Sequence, residues 1–177
     1  VRQVNEKLWC MRFVDLVPPT LVTRNKLLFH SFVKDHVDVI LKPLNGFGGK
    51  GIMKLNQDDD NFNAIFELMT DDGKKDVLIQ KYLPDSKIGD KRVLLINGEP
   101  IGAVLRVHGD FDHRNNFFAG GTAKKTILSK RDLEICKVLG PYLRDLGLYF
   151  VGIDIIGDYL IEVNVTSPTC LQEINRL

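Results

Sequence analysis

The sequence that decides the fold runs Tyr149-Phe150-Val151-Gly152-Ile153-Asp154-Ile155-Ile156 and returns, after Gly157-Asp158, through Tyr159-Leu160-Ile161-Glu162-Val163-Asn164-Val165. Two runs rich in β-branched and aromatic residues around two turn residues predict an antiparallel hairpin over 149–156 and 159–165. The first run is apolar except for Asp154. Because burying an unpaired charge is costly, Asp154 is predicted to face a cation or strong hydrogen-bond donors.

The returning strand carries two further polar residues, Glu162 and Asn164, which are two apart and therefore share a face. Two carboxylates and an amide carbonyl are hard oxygen ligands that suit Mg²⁺ or Mn²⁺, so Asp154, Glu162 and Asn164 are predicted metal ligands. The alternative is a partly solvated edge hairpin. A two-residue turn would pair Asp154 with Ile161, whereas a three-residue loop through Tyr159 pairs it with Glu162, and we predict the three-residue loop.

A glycine-rich segment, Gly46-Phe47-Gly48-Gly49-Lys50-Gly51, separates predicted strands over 38–44 and 52–55. A dinucleotide fingerprint would need a helix after the glycines, and a Walker loop would need Ser or Thr after Lys50. The segment therefore predicts a glycine hairpin whose backbone N–H groups contact polyphosphate, with Lys42 pointing at the same anion. A merely flexible hairpin beside a surface lysine is the open alternative.

The rest of the chain reads as alternating helices and strands. Ser129 and Asp132 form a capping box, Gly140-Pro141 should kink or restart the helix that follows, and Thr23 should cap an earlier one. Asn97-Gly98 is a strong signal for a two-residue hairpin turn. The remaining predictions are helices over 5–14, 24–34 and 130–147, a helix after Asp58-Asp59-Asp60 that carries Phe62, Ile65, Phe66 and Met69, strands over 77–83, 92–96 and 101–107, and a loop over 108–125.

Composition and charge exclude several classes of protein. The 177 residues are 44% apolar and 27% charged, which is ordinary for a globular protein. Lys and Arg number 24 against 23 for Asp and Glu, which gives a net charge of +1. The overall charge therefore does not indicate binding to nucleic acid or to a membrane surface. The three cysteines have no metal-type spacing, which favours a cytoplasmic, reducing environment.

Arginine and hydroxyl side chains provide the other candidates. Arg92, Arg106 and Arg114 could neutralise an anionic substrate or a transferring phosphoryl group, although each alone is more often a solvated surface residue. Ser167 and Thr169, just after the metal strand, could contact a substrate carboxylate. Cys170 lacks a recognisable histidine partner and is predicted to be an ordinary buried cysteine.

Taken together, these features resemble the ATP-grasp superfamily of carboxylate–amine ligases, and within it the bacterial glutathione synthetases. The similarity covers essentially the whole chain, and the closing segment is its most specific part. The motifs that carry it are Val22-Thr23-Arg24-Asn25-Lys26, Ile40-Leu41-Lys42-Pro43, Gly89-Asp90-Lys91-Arg92-Val93-Leu94, Ala119-Gly120-Gly121, Val151-Gly152-Ile153-Asp154-Ile155-Ile156-Gly157 and Glu162-Val163-Asn164-Val165-Thr166-Ser167-Pro168-Thr169-Cys170.

The resemblance implies an α+β ATP-grasp fold, in which two α/β lobes with largely antiparallel sheets clasp ATP. It implies a connection from an N-terminal substrate domain over 1–23, a small lobe with the glycine flap over 24–84, and a large lobe with a lid loop and the metal hairpin over 85–177. The resemblance also implies that the family's N-terminal domain and a further C-terminal helix are not included in this sequence. The implied localisation is cytoplasmic, and the implied assembly is a homo-oligomer, specifically a tetramer.

The implied reaction has two steps: ATP phosphorylates the free carboxylate of γ-glutamylcysteine, and the amine of glycine then attacks the acyl phosphate. The resemblance assigns Arg92 and Arg106 to catalysis, and Asp154, Glu162 and Asn164 to Mg²⁺. It assigns ATP binding to Lys26, Lys42, Gly46, Gly48, Gly49, Gly51, Gln80, Lys81, Tyr82 and Leu83, and substrate binding to Arg114, Asn116, Ser167 and Thr169.

In this scheme the 107–122 loop would be a lid that keeps water from the acyl phosphate. Lys81 stands where the family has Asn, which matters little if the main chain contacts adenine there. Two alternatives stay open: another ATP-grasp ligase of the peptide or D-alanine type, and an ATP-binding module without catalysis.

Overall fold

The structure is a computed structural model that describes residues 4–109 and 120–177. The chain forms two compact units. Pro18–Leu83 make the four-stranded unit, and the described parts of Val1–Val17 and Pro84–Leu177 make the five-stranded unit. The division differs from the one expected at 24 and 84, because residues 20–23 pair with the sheet of the first unit and residues 4–17 pack in the second.

The four-stranded unit is an antiparallel sheet in the order β1-β4-β2-β3 with two helices. Phe29 and Val33 of its first helix and Phe66 of its second pack with Val39 and Leu41 of the sheet to form the core. The elements are β1 (Thr20–Thr23), α1 (Lys26–His36), β2 (Asp38–Pro43), β3 (Met53–Asn56), α2 (Phe62–Thr70) and β4 (Val77–Lys81).

The five-stranded unit is an antiparallel sheet in the order β7-β6-β5-β8-β9. One face of this sheet packs against the long helix α3, through Ile135, Leu139 and Leu143. The elements are 3₁₀ turns at Trp9–Arg12 and Pro84–Lys87, β5 (Asp90–Ile96), β6 (Glu99–Val107), β7 (Thr122–Lys125), α3 (Lys130–Asp145), β8 (Phe150–Ile156), β9 (Tyr159–Asn164) and α4 (Leu171–Arg176).

Local capping signals predicted the start of α3 correctly and the start of α1 with the wrong capping residue. The capping box of α3 is confirmed, because the Ser129 hydroxyl accepts from the Asp132 N–H and the Asp132 carboxylate accepts from the Ser129 N–H. The helix runs on through Pro141 without restarting. The cap of α1 is Asn25, whose side chain accepts from two backbone N–H groups, and not Thr23 as predicted. Asn25 is the capping residue because the Thr23 hydroxyl accepts a hydrogen bond from the Asn25 N–H and not from the first turn of the helix.

The largest secondary-structure error concerns the N-terminal segment. The predicted helix over 5–14 is only a 3₁₀ turn at Trp9–Arg12. The carbonyl of Glu6 accepts a hydrogen bond from Val163 N, and the carbonyl of Leu16 accepts one from Leu160 N. These carbonyls therefore bond to the edge of β9 and do not form hydrogen bonds within a helix. Strands β1 and β7 and helix α4 were also missed. Among the described residues, no helix is long and apolar enough to cross a membrane.

Candidate active site

A β-bulge sets the register of the β8–β9 hairpin. The turn has two residues, Gly157 and Asp158, because Ile156 pairs with Tyr159, so the predicted three-residue loop is wrong. The predicted pairing of Asp154 with Glu162 is nevertheless confirmed. A shift between Asp154 and Ile155 leaves Ile161 as the extra residue, and this moves Glu162 opposite Asp154.

A second bulge does the same in the β5–β6 hairpin. The predicted Asn97-Gly98 turn is confirmed, but the register shifts between Leu94 and Leu95, with Ile101 as the extra residue. Without that residue, regular pairing would place Leu105 opposite Asp90 and turn Arg106 to the other face. With it, Arg106 lies directly opposite Asp90.

The two bulges gather six polar residues on one face of the five-stranded sheet. Arg92 lies opposite Asp154 across β5 and β8, and side chains two apart on a strand share a face. Residues that alternate with them, such as Val93 and Ile153, point into the core beside α3. The polar face carries Asp90, Arg92, Arg106, Asp154, Glu162 and Asn164.

Four of these side chains form a buried cluster of two carboxylates and two guanidiniums. Arg92 pairs with Asp154 through Nε and donates from Nη2 to Oδ2 at 3.0 Å. Arg106 Nη2 lies 3.0 Å from the same Oδ2, and Arg106 Nε donates to Asp90 Oδ1 at 2.8 Å. The cluster therefore contains as many positive as negative charges, which is what burial demands.

The charges of the cluster determine its protonation. Burial alone would raise the pKa of Asp154, but the charges of Arg106 and Arg92 outweigh it and lower the pKa to about 2. Burial raises the pKa of Asp90, against the opposing charge of Arg106. The paired carboxylates raise the pKa of both arginines, against the effect of burial. At neutral pH the guanidiniums are thus fixed positive charges beside an ionised Asp154.

Gly152 makes room for the cluster. A Cβ at this position would lie 3.1 Å from Cδ of Arg92 and 3.1 Å from Cβ of Pro168, closer than ordinary packing allows. The absent side chain lets Arg92 lie against β8 and lets the 165–170 segment close over it. Arg92 Nη1 donates to the Thr169 hydroxyl at 3.5 Å. Cys170 is buried beside them, and burial raises the pKa of its thiol.

The predicted metal ligands lie next to one another on this face. Glu162 lies opposite Asp154, while Asn164 Nδ2 donates to the Gly152 carbonyl at 3.2 Å and lies 3.4 Å from Asp154 Oδ2. Over 4–109 and 120–177, no group of three His, Cys, Asp or Glu side chains could hold a metal. The set here is two carboxylates and one amide. Asn164 presents its amide nitrogen and not its oxygen to Asp154. Carboxylate and amide oxygens are nevertheless donors of the kind that Mg²⁺ takes together with phosphate and water.

The four-stranded unit holds the predicted nucleotide residues. Lys42 is buried on β2, and its ammonium donates to Gln80 Oε1 at 2.8 Å. Gln80 Nε2 in turn donates to the Thr20 hydroxyl at 2.9 Å, so β1, β4 and β2 are linked by a chain of side chains. Lys26 is the exposed first residue of α1.

The glycine segment connects two antiparallel strands, β2 and β3, as predicted. All four glycines have positive φ, from 65° at Gly48 to 143° at Gly46, a conformation that residues with a Cβ rarely adopt. At Gly51 a Cβ would also lie 2.9 Å from Cγ of Pro43. The backbone here is therefore specified by glycine and can approach a ligand closely.

The segment predicted to contact adenine leaves the sheet at β4. The Lys81 N–H donates to the Pro19 carbonyl at 2.9 Å and the Tyr82 N–H to the Asp38 carbonyl at 3.0 Å, so both are used within the unit. The Tyr82 ring lies under the ammonium of Lys54, 4.1 Å from its centroid.

Comparison with known proteins now identifies the family. The profile described as "Prokaryotic glutathione synthetase, ATP-grasp domain" matches residues 6–177. The chain belongs to this family. It is 51% identical to the glutathione synthetase of Gloeobacter violaceus, over 100% of the chain and 55% of that protein. The chain thus spans about half the length of the curated relatives it matches.

Solved structures show the same fold at low sequence identity. D-cycloserine synthetase DcsG matches with a TM-score of 0.74 at 14% identity, over 98% of this chain and 66% of that one. The ATP-grasp ligase PsnB, complexed with a minimal precursor, Mg and ADP, matches with a TM-score of 0.69 at 19% identity, over 97% of this chain and 52% of that one. The expected ATP-grasp fold is confirmed, and ATP binding is implied by the family.

Within this glutathione synthetase domain, the structure brings the predicted catalytic arginines and metal ligands onto one sheet face. Ser167 is exposed and Thr169 contacts Arg92. Arg114 and Asn116, the lid predictions, lie outside the described residues. Sequence reasoning missed Asp90 as the partner of Arg106. The sequence shows that Asp90 lies on the same strand as Arg92, two residues before it. It does not show the bulge at Ile101 that places Asp90 opposite Arg106.

Proposed function

We propose that this chain is the ATP-grasp region of a glutathione synthetase, which joins γ-glutamylcysteine to glycine and converts ATP to ADP and phosphate. The observation that carries the proposal is the buried face on which Arg92 and Arg106 flank Asp154 next to Glu162 and Asn164. Membership of the prokaryotic glutathione synthetase family supports this choice of acid and amine.

The reaction would begin with attack of a carboxylate oxygen of γ-glutamylcysteine on the γ-phosphorus of ATP, with ADP as leaving group. The amine of glycine would then attack the acyl carbon, phosphate would leave with the bridging oxygen, and the amine would lose a proton to solvent. Negative charge develops on the phosphoryl oxygens first and on the acyl oxygen second. Pre-oriented cations stabilise such charge without reorganisation.

Arg92 and Arg106 would supply those cations. A guanidinium has five N–H donors, and the bonds to Asp90 and Asp154 hold each group in a fixed plane while occupying only part of them. The two carboxylates therefore orient the arginines as well as balancing their charge. Thr169 adds a hydroxyl on the same side, next to Arg92.

Asp154, Glu162 and Asn164 would hold Mg²⁺, which neutralises phosphate charge when bound. In the four-stranded unit, Lys42 and Lys26 would contact the phosphates and the 46–51 segment would cover them with backbone N–H groups. Gln80 would orient Lys42 through the bond between them. The segment 80–83 would contact adenine. Arg114, Asn116 and Ser167 would bind the peptide substrate.

The test is phosphate release by the full-length protein containing this chain, with ATP and Mg²⁺ and each combination of acid and amine. We expect release only when γ-glutamylcysteine and glycine are both present. Equal release with D-alanine or another amino acid in place of the dipeptide would assign the chain to a different ATP-grasp ligase. Nucleotide binding without release under any combination would make it a non-catalytic module. The cytoplasmic location and the tetramer stay predictions, the second to be tested by light scattering.

A further inference from the structure

The N-terminal segment covers the edge of the strand that carries two of the proposed metal ligands. Strand β9 is at the edge of its sheet, and within the part of the chain that the structure describes no strand pairs with its outer side. Glu6 and Leu16 occupy that side, since their carbonyls accept from Val163 N at 3.0 Å and from Leu160 N at 2.7 Å. Edge strands are otherwise free to pair or fray.

Glu6 extends this contact beyond the end of the strand. Its Oε1 accepts from Val165 N at 2.9 Å and from Thr166 N at 3.0 Å. These two residues follow β9 and lead directly into Ser167-Pro168-Thr169. One carboxylate oxygen therefore fixes the backbone at the start of the proposed substrate segment.

The next residue reaches the strand itself. Lys7 Nζ lies 3.3 Å from Glu162 Oε1, and the two side chains are only 11% and 21% exposed. Two consecutive residues thus contact β9 and its continuation through a main-chain carbonyl, a carboxylate and an ammonium. The proposed function assigns no catalytic or ligand-binding role to the Glu6 carboxylate.

The far end of the same segment is held by the charge cluster. Thr169 accepts from Arg92 Nη1, and Pro168 packs where a side chain on Gly152 would lie. Ser167 sits between these contacts and those of Glu6, and it is exposed. The position of Ser167 therefore depends on two anchors, and Glu6 is the one that lies outside the catalytic machinery.

We infer that Glu6 is a positioning residue, which sets the 165–169 segment for the peptide substrate by accepting two backbone hydrogen bonds. The inference rests on the proposed function for its substrate. The charge of Glu6 is not what matters, because a neutral amide oxygen can accept the same two bonds. In metal sites, residues that orient the ligands change affinity or activity by about 10- to 100-fold when they are lost, and a similar role is expected of Glu6 here.

The experiment compares Glu6→Ala with Glu6→Gln in the full-length protein. We expect Glu6→Ala to raise the KM for γ-glutamylcysteine about tenfold while the KM for ATP changes less than about twofold. Glu6→Gln should restore the KM for the dipeptide to within about threefold of wild type, because its carbonyl oxygen replaces Oε1. Amide exchange at Val165 and Thr166 should be faster in Glu6→Ala alone.

Three results would overturn the inference: an unchanged KM for the dipeptide in Glu6→Ala, equal rises of both KM values, or a Glu6→Gln variant as impaired as Glu6→Ala. If the wild-type protein did not ligate γ-glutamylcysteine to glycine, the proposed function would be refuted instead. In that case exchange at Val165 and Thr166 still reports on Glu6, and unchanged exchange in Glu6→Ala would refute its anchoring role.

Discussion

The two units bury charge in different ways. In the five-stranded unit, two carboxylates and two guanidiniums between 3% and 8% exposed neutralise one another. In the four-stranded unit, the ammonium of Lys42, also 8% exposed, donates to the neutral amide of Gln80. The first arrangement is a preformed electrostatic site, whereas the second holds a cation where a phosphate could meet it. Substitutions should therefore affect stability and turnover in the first unit and nucleotide affinity in the second.

The largest effect is expected from Asp154→Asn. Loss of this carboxylate leaves Arg92 and Arg106 buried without their shared partner and removes a proposed metal ligand. Breaking a buried ion pair typically costs about 3–5 kcal/mol, and we expect turnover to fall at least about 100-fold. Urea unfolding and phosphate release measure the two effects.

The matched control is Asp158→Asn, in the exposed turn of the same hairpin. It removes the same charge from a solvated position, and we expect stability to change by less than about 0.5 kcal/mol. If Asp154→Asn were as stable and as active as this control, the cluster would be neither a stabilising nor a catalytic element.

Two glycines test the contrast without changing charge. In Gly152→Ala the new methyl group would press on Arg92 and Pro168, and we expect a loss of about 1–3 kcal/mol with turnover reduced about tenfold. In Gly51→Ala the residue at a φ of 72° would be strained by about 1–2 kcal/mol.

The second variant should weaken ATP binding and leave the rate at saturating ATP nearly unchanged. Steady-state kinetics with both substrates varied separates these outcomes. The opposite assignment, with Gly152→Ala changing only the KM for ATP, would refute the division of roles between the two units.

Lys42→Met addresses the four-stranded unit directly. Methionine keeps the apolar stem and removes the ammonium, so the hydrogen bond to Gln80 is lost along with the charge that would meet phosphate. A hydrogen bond to a charged group is worth about 1.5–3 kcal/mol, so ATP affinity should fall about 10- to 100-fold by calorimetric titration. Lys34→Met on α1 is the control, because this lysine is exposed in the same unit and has no role in the proposed nucleotide site. Equal losses in both variants would mean that general charge, and not the placement of Lys42, governs affinity.

Acid should remove part of the stability that the charge cluster provides. The pKa of Asp154 is lowered to about 2 from an ordinary 3.8, so its ionised form stabilises the fold above pH 4. That contribution, about 2 kcal/mol, is lost as the pH falls from about 4 to 2. The stability difference between wild type and Asp154→Asn should shrink over this range in urea titrations. A constant difference would show that the two arginines do not lower the pKa of Asp154.

Sequence reasoning recovered the parts of the fold and site that depend on local chemistry. The glycine hairpin at 46–51, the capping box at Ser129 and the turn at Asn97-Gly98 are signalled by residue types within a few positions of one another. It also paired Asp154 with Glu162, although for the wrong reason. The resemblance to the family predicted the rest of the site, because its motifs relate residues that are far apart in the sequence.

What was missed depends on long-range backbone pairing. Bulges at Ile101 and Ile161 each shift a register by one residue, and nothing in those apolar runs marks the extra residue. The segment at 5–14 has a helical pattern, but its Glu6 carbonyl accepts from Val163 N and its Cys10 thiol donates to the Ile161 carbonyl, both on β9 and some 150 positions away in the sequence. The pairing of Arg106 with Asp90 and the anchoring by Glu6 follow from these contacts and were therefore not predicted.

The most direct test of the proposed acyl phosphate follows an oxygen atom. γ-Glutamylcysteine labelled with ¹⁸O in its reacting carboxylate is incubated with ATP, Mg²⁺, glycine and the full-length protein, and the phosphate is examined by mass spectrometry. The two-step reaction predicts one labelled oxygen in each phosphate released, because the bridging oxygen leaves with phosphorus. Formation of glutathione with unlabelled phosphate would contradict the account.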